Sequence, residues 1–212
     1  MIALTVSDVL DADAAVLRIS DLLKRNHDLT IPDAICIRND SFSPEPFASM
    51  TELISKLWQG QIILETEDPS VLTKAVIPIM DRSPILIGAN SSNLEQFTMV
   101  AHMFGCSLCV SAEDIETLFN LAEKAEELGV KKVLIDPMMR NMKQCLETCT
   151  DIKRVKEVLP KLDYEVVVRS WSGEYAMTMA TVSLLTDDAL IIVDDLDYDC
   201  CDTLSALLNS IR

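Results

Sequence analysis

The residues able to do chemistry recur at one kind of place in this chain, the end of a short apolar run. Asn39 and Asp40 follow Ala34-Ile35-Cys36-Ile37-Arg38, Glu65 ends Gln61-Ile62-Ile63-Leu64, and Asn90 follows Ile85-Leu86-Ile87-Gly88-Ala89. Ser111 ends Ser107-Leu108-Cys109-Val110, and Asp136 follows Val133-Leu134-Ile135. Arg169, Ser170 and Trp171 follow Glu165-Val166-Val167-Val168, and Asp194 with Asp195 follows Leu190-Ile191-Ile192-Val193. Gathered in one mouth, Asp40, Glu65, Asn90, Asp136 and Asp194 would accept hydrogen bonds from a neutral, donor-rich ligand. The amino and ring N–H groups of a pterin are of that kind. Arg38 and Arg169 lie at the same rim, where carboxylates beside a guanidinium stay ionised and pair with it. Those pairs could equally do no more than neutralise the mouth. Trp171 reads either as a loop anchor or as an aromatic wall for a flat ligand or a partner protein.

Other chemistries fit less well. Phosphate sites use glycine-rich loops and a helix N-terminus, whereas the last two strand ends read Ser170-Trp171-Ser172-Gly173 and Asp194-Asp195-Leu196-Asp197. His27 and His102, the 2 histidines, fall away from every strand end, which argues against a Ser-His-Asp arrangement. Cys106-Ser107-Leu108-Cys109 has zinc-like spacing, but residues three apart on a strand point to opposite faces. No second ligand pair accompanies it, so no metal site is expected. Cys145 and Cys149 share the apolar stripe of a helix and read as core. Cys200-Cys201 is a vicinal pair at a helix start without evident partners.

The elements that must position these residues alternate. Ile2 to Val6 is a first strand, and Ala12 to Lys24 has apolar residues at helical spacing. Pro44 starts a second helix that Gly60 closes, and Asp68-Pro69 caps and starts a third, which Pro78 kinks or ends. Ser92 caps a fourth helix that Gly105 closes. A fifth runs from about Glu113 to Leu128, with Gly129 after it supplying the left-handed turn. Met142 to Leu159 is a sixth. Two more are predicted, after Ser172-Gly173-Glu174 and from Asp199 or Asp202. Eight strands and eight helices alternate at spacings of about 22 to 34 residues, as in a repeated supersecondary unit. Strands apolar almost throughout belong to a parallel sheet covered on both faces. The fold class is therefore α/β, a single compact (β/α)8 TIM barrel over residues 1–212, with a doubly wound open sheet as the alternative. In such barrels function sits at the carboxyl ends of the strands.

Composition narrows the partners. With 34 acidic against 18 basic residues the net charge is -16, which argues against nucleic acid and anionic membranes. No basic n-region precedes the first apolar residues, and no run nears the roughly 20 residues that span a bilayer. The 7 cysteines are an odd count without a signal peptide. Reduced thiols and a cytoplasmic location are expected.

Several segments resemble, in order, the barrel domain of the corrinoid iron-sulfur protein large subunit, the gamma subunit of the acetyl-CoA decarbonylase/synthase complex. They are Asp33 to Arg38, Pro84 to Asn90, Cys106 to Ala112, Leu128 to Pro137 and Asp187 to Val193. In that family a cobalt corrinoid carries a methyl group from a methyl-pterin to acetyl-CoA synthase. The barrel faces the corrinoid, a separate C-terminal domain holds it, and an N-terminal domain with four cysteines holds an iron-sulfur cluster. Starting at the first barrel strand and ending after the eighth helix, this sequence is expected to lack both flanking domains. Met138-Met139-Arg140-Asn141 stands where the family often continues with glycines. The resemblance implies an accessory or degenerate barrel in C1 (methyl) transfer linked to acetyl-CoA metabolism. It would bind no cofactor tightly, and would contact a corrinoid or a pterin. Its partner would be a corrinoid protein or another subunit of such a complex, with a homo-oligomer also open. Two alternatives stand beside this: a pterin-dependent methyltransferase with Asn90 and Asp136 in its pterin site, and a non-catalytic interaction module.

Overall fold

The first strand finds the last one. In the computed structural model, which describes residues 1–24, 32–170 and 189–193, β1 (Ile2–Ser7) pairs in parallel with β8 (Ala189–Val193), with Ile2 opposite Ile191. Between them run α1 (Ala12–Lys24), β2 (Ala34–Arg38), α2 (Pro44–Leu57), β3 (Gln61–Glu65), α3 (Pro69–Val76) and β4 (Ile85–Ala89). Then come α4 (Leu94–Phe104), β5 (Ser107–Ser111), α5 (Ile115–Glu127), β6 (Val133–Asp136), α6 (Met142–Val158) and β7 (Glu165–Ser170). Each strand pairs with the next, and the sheet is a closed barrel in the order β1 to β8. The open-sheet alternative is thereby excluded. The two helices predicted after β7 and β8, with His27, Trp171, Asp194, Asp195, Cys200 and Cys201, lie outside the described residues.

Strand alternation sorts the apolar residues into two layers. Ala3, Ala34, Cys36, Ile63, Ile85, Ile87, Cys109, Leu134, Val167, Leu190 and Ile192 fill the barrel interior. Their neighbours Val6, Ile35, Ile62, Leu64, Leu86, Val110, Ile135, Val166 and Ile191 pack outward with the apolar helix faces. Burying both faces explains why the strands read as unbroken apolar runs. The same alternation sends Cys106 to the outer layer and Cys109 to the interior.

Local signals hold in most places. Asp68 accepts from the Ser70 N–H, Asp114 from the Thr117 N–H and Asn141 from the Gln144 N–H, each satisfying an otherwise orphaned donor at a helix start. At Gly105, φ is 67°, and at Gly129 it is 93°. Pro78 ends α3 by converting the chain to a 3-10 helix over Ile77–Arg82. Two caps differ from expectation. Asn93 rather than Ser92 precedes α4. And α2 stops at Leu57 because Trp58 turns extended, its indole N–H donating to the Gln61 carbonyl at 3.2 Å. Gly60 makes room for that ring, since a Cβ there would lie 2.8 Å from it.

Gly88 does more than fill a strand. The β4–β5 register slips at this residue, with Ile87 opposite Cys109 but Ala89 opposite Val110. One extra residue reverses which side the following side chains face. Ala89 therefore packs in the outer layer. Only glycine serves here: φ is +123°, and a Cβ would sit 1.8 Å from the Thr66 carbonyl oxygen.

Candidate functional site

The carboxyl ends of β2 to β7 and the loops after them line a cavity of about 830 Å³, with Asp40, Glu65, Asn90, Ser111, Asp136 and Arg169 among its residues. Five of the seven predicted site residues, Asp40, Glu65, Asn90, Asp136 and Arg169, thus meet in one mouth. The other two, Trp171 and Asp194, are outside the described residues.

An ion triad crosses the floor. Inward positions on β3, β6 and β7 carry Glu65, Asp136 and Arg169. Arg169 Nε donates to Asp136 Oδ2 at 2.8 Å, and its Nη1 donates to Glu65 Oε1. Asp136 is 2% exposed, and the Arg169 side chain 20%. Burial by itself would lower the Arg169 pKa, but the charges of Asp136 and then Glu65 outweigh it and raise it. The guanidinium is thus a permanent cation held between two carboxylates. The other oxygen of Asp136 accepts from the Met138 N–H at 2.9 Å, so this carboxylate fixes the loop after β6 as well as the arginine.

Two thiols lie under the triad. Cys36 Sγ donates to Glu65 Oε2 at 3.5 Å. Burial, reinforced by the Glu65 charge, pushes the Cys36 thiol well up. Burial and the charge of Asp136 do the same to Cys109. Both are protonated near neutrality and are poor nucleophiles. Among the described residues no group of three or more His, Cys, Asp or Glu is placed to hold a metal ion.

The remaining predicted residues are committed to the loops that carry them. Asn90 follows the Gly88 slip, and its Oδ1 accepts from the Ser92 N–H at 2.9 Å and the Ser92 hydroxyl at 2.6 Å. Asp40 accepts from Arg38 Nε at 3.0 Å and from the Ser7 hydroxyl. Sequence reasoning passed over Asp8, which is 5% exposed. Its Oδ1 accepts from the Asp40 and Ser41 N–H groups, each at 2.9 Å, and its Oδ2 from the Ser41 hydroxyl at 2.5 Å. The signal was available, because Ser7-Asp8 ends the first apolar run as Asn39-Asp40 ends the second. Thr66 and Asn93 were also missed. Asn39 Nδ2 donates to Thr66 Oγ1 at 3.0 Å, and Asn93 Nδ2 donates to the Glu67 and Gly88 carbonyls. Together they join the loops after β2, β3 and β4.

Fold and mouth define a TIM barrel of the α/β class whose strand-end face is closed beneath by a partly buried Arg–carboxylate triad. The chain belongs to the CO dehydrogenase/acetyl-CoA synthase delta subunit family, whose model matches residues 1–185. It is 30% identical over 173 residues to the corrinoid/iron-sulfur protein large subunit of Moorella thermoacetica, covering 78% of this chain and 39% of that protein. It is 37% identical over 106 residues to the acetyl-CoA decarbonylase/synthase complex subunit gamma of Methanothermobacter thermautotrophicus, covering 50% of this chain and 23% of that protein. The chain thus spans well under half the length of these relatives. Among solved structures it superposes on dihydropteroate synthase from Thermus thermophilus with a TM-score of 0.72 at 14% identity, covering 100% of this chain and 94% of that one. The enzyme from Vibrio fischeri gives 0.74 at 11%, covering 99% and 92%. These likenesses establish the barrel. Among the described residues no helix is long and apolar enough to cross a membrane.

Proposed function

We propose that this barrel is a non-catalytic component of C1 (methyl) transfer that receives a corrinoid, carried by a partner protein, on its strand-end face. One observation carries the reading. Glu65 and Asp136, the carboxylates placed to act as a base or to grip a pterin, are both held by Arg169. A ligand that needed them would first have to displace a half-buried guanidinium. The thiols beneath are kept protonated. What the described part of the mouth offers instead is a cavity whose triad carboxylates are already paired. Relatives named for a corrinoid/iron-sulfur protein and for subunits of acetyl-CoA decarbonylase/synthase supply the partner class.

The residues fit a corrinoid that is docked rather than ligated. The rim carboxylates of Glu67 and Asp68, outside the triad, are acceptors suited to the primary amides around a corrin ring. The lining includes no histidine among the described residues, so these residues would hold the ring by its periphery rather than through the metal. When bound, the corrinoid supplies the methyl–cobalt bond.

A pterin-dependent methyltransferase is the second reading, favoured by the convergence of Asn90, Glu65 and Asp136 on one cavity. Calorimetric titration separates the two. Methylcobinamide, which lacks the nucleotide and its phosphate, should bind the wild type, and a methyl-tetrahydropterin should not. Pterin binding that is lost in Asp136→Ala would establish the methyltransferase instead. If neither compound binds, the interaction module remains.

A further inference from the structure

Two apolar side chains stand over this cavity on backbone that non-glycine residues rarely adopt. Phe42, in the loop after β2, has φ 52°, and Met138, in the loop after β6, has φ 51°. Among the described residues only Ser83 shares a positive φ without being glycine. Phe42 is 86% exposed and Met138 40%, yet both line the mouth. In the closed order β1 to β8, β2 and β6 lie four strands apart, on opposite sides of the ring. The two side chains therefore flank the mouth from both sides.

Each is held by a buried carboxylate. Asp8 accepts from the N–H groups of Asp40 and Ser41, the two residues before Phe42. Asp136 accepts from the N–H of Met138 itself. Strained backbone persists where the surroundings over-determine it, and it gathers at ligand clamps. Holding a large apolar side chain ready in water costs folding energy and cuts the ordering cost of binding.

We infer that Phe42 and Met138 are a preformed clamp for the face of a methylcobalt(III) corrin ring. This rests on the corrinoid reading above and names the residues that carry it. Charge selects the occupant. Among the described residues the lining has three arginines (Arg38, Arg140 and Arg169) against five carboxylates (Asp40, Glu65, Glu67, Asp68 and Asp136), leaving two negative charges in excess. A methylcobalt(III) corrin core bears one positive charge: three on the metal, less one each for the ring and the methyl group. An acidic mouth with apolar jaws suits a flat cation with an apolar face, whereas an anion would be repelled.

Glycine gives a clean test, because it accepts positive φ freely while removing the side chain. Phe42→Gly and Met138→Gly should melt no lower than the wild type. Each should bind methylcobinamide about tenfold more weakly, and the double variant on the order of a hundredfold, for the loss of one or two apolar contacts. Met99→Ala, an exposed methionine on α4, should bind as the wild type does. Glycine variants that bind as tightly as the wild type overturn the clamp and leave corrinoid docking intact. A wild type that does not bind methylcobinamide overturns both. Glycine variants that melt well below the wild type overturn the strained-clamp geometry.

Discussion

Replacing Arg169 with methionine keeps much of the side-chain volume and removes the charge that Glu65 and Asp136 share. Their side chains are 12% and 2% exposed, so little water solvates them while Arg169 is in place. Removing one partner of a buried ion pair costs about 3–5 kcal/mol. Arg169 is 20% exposed, which places the cost near the lower end, about 3 kcal/mol. That is a large share of the roughly 5–15 kcal/mol that stabilises a typical domain. The triple variant Arg169→Met, Glu65→Gln, Asp136→Asn tests whether charge imbalance is the cause. Neutral replacement of a whole buried ionic cluster is often neutral or stabilising, and the new amide oxygen at position 136 can still accept from the Met138 N–H. Urea unfolding at pH 7 should show the single variant about 3 kcal/mol below wild type and the triple variant recovering most of that. A single variant within about 1 kcal/mol of wild type, or a triple variant no better than the single, would refute the triad as the keystone of the mouth.

Two further predictions follow from the packing. Gly88→Ala should cost at least about 3 kcal/mol, because its Cβ would overlap the Thr66 carbonyl at 1.8 Å with φ at +123°. The melting temperature should drop by roughly 6–12 °C, and a change within about 2 °C would count against the register slip as a requirement. Burial pushes the Cys106 thiol from its ordinary 9.0 up to about 11. The folded state then holds this proton more tightly than the unfolded chain. Its contribution is complete below pH 9.0 and is lost as pH rises toward about 11. Cys106→Ala should therefore lose less stability than wild type between about pH 9 and 10.5, read from paired denaturation curves. Parallel losses in the two proteins would contradict the assignment.

Much of this barrel was legible in order along the chain. The apolar runs, Pro44, Pro69, Gly105 and Gly129 marked where strands and helices start and stop, because capping and positive φ are local requirements. The ring of polar residues at the strand ends was legible for the same reason: wherever a buried strand ends, the next residues meet water. Position in the mouth was readable for Asp40, Glu65, Asn90, Asp136 and Arg169. Their partners were not. Nothing in the sequence near Arg169 says that it reaches Glu65, 104 residues away, rather than a ligand. Asp8 escaped notice because its partners are the backbone N–H groups of a loop 32 and 33 residues on.

Local chemistry alone determined the alternating βα units, the two apolar faces of each strand and the acidic balance of the chain. Closure was decided by tertiary structure, since β1 has to meet β8 before there is an inside. So was the use made of the rim. The Gly88 slip turns Ala89 outward, Arg169 takes up the carboxylates on β3 and β6, and Asp8 and Asp136 bend two loops until Phe42 and Met138 stand over the cavity. A residue's type sets which bonds it can make, but which of them form depends on neighbours that only the closed ring brings within about 3 Å.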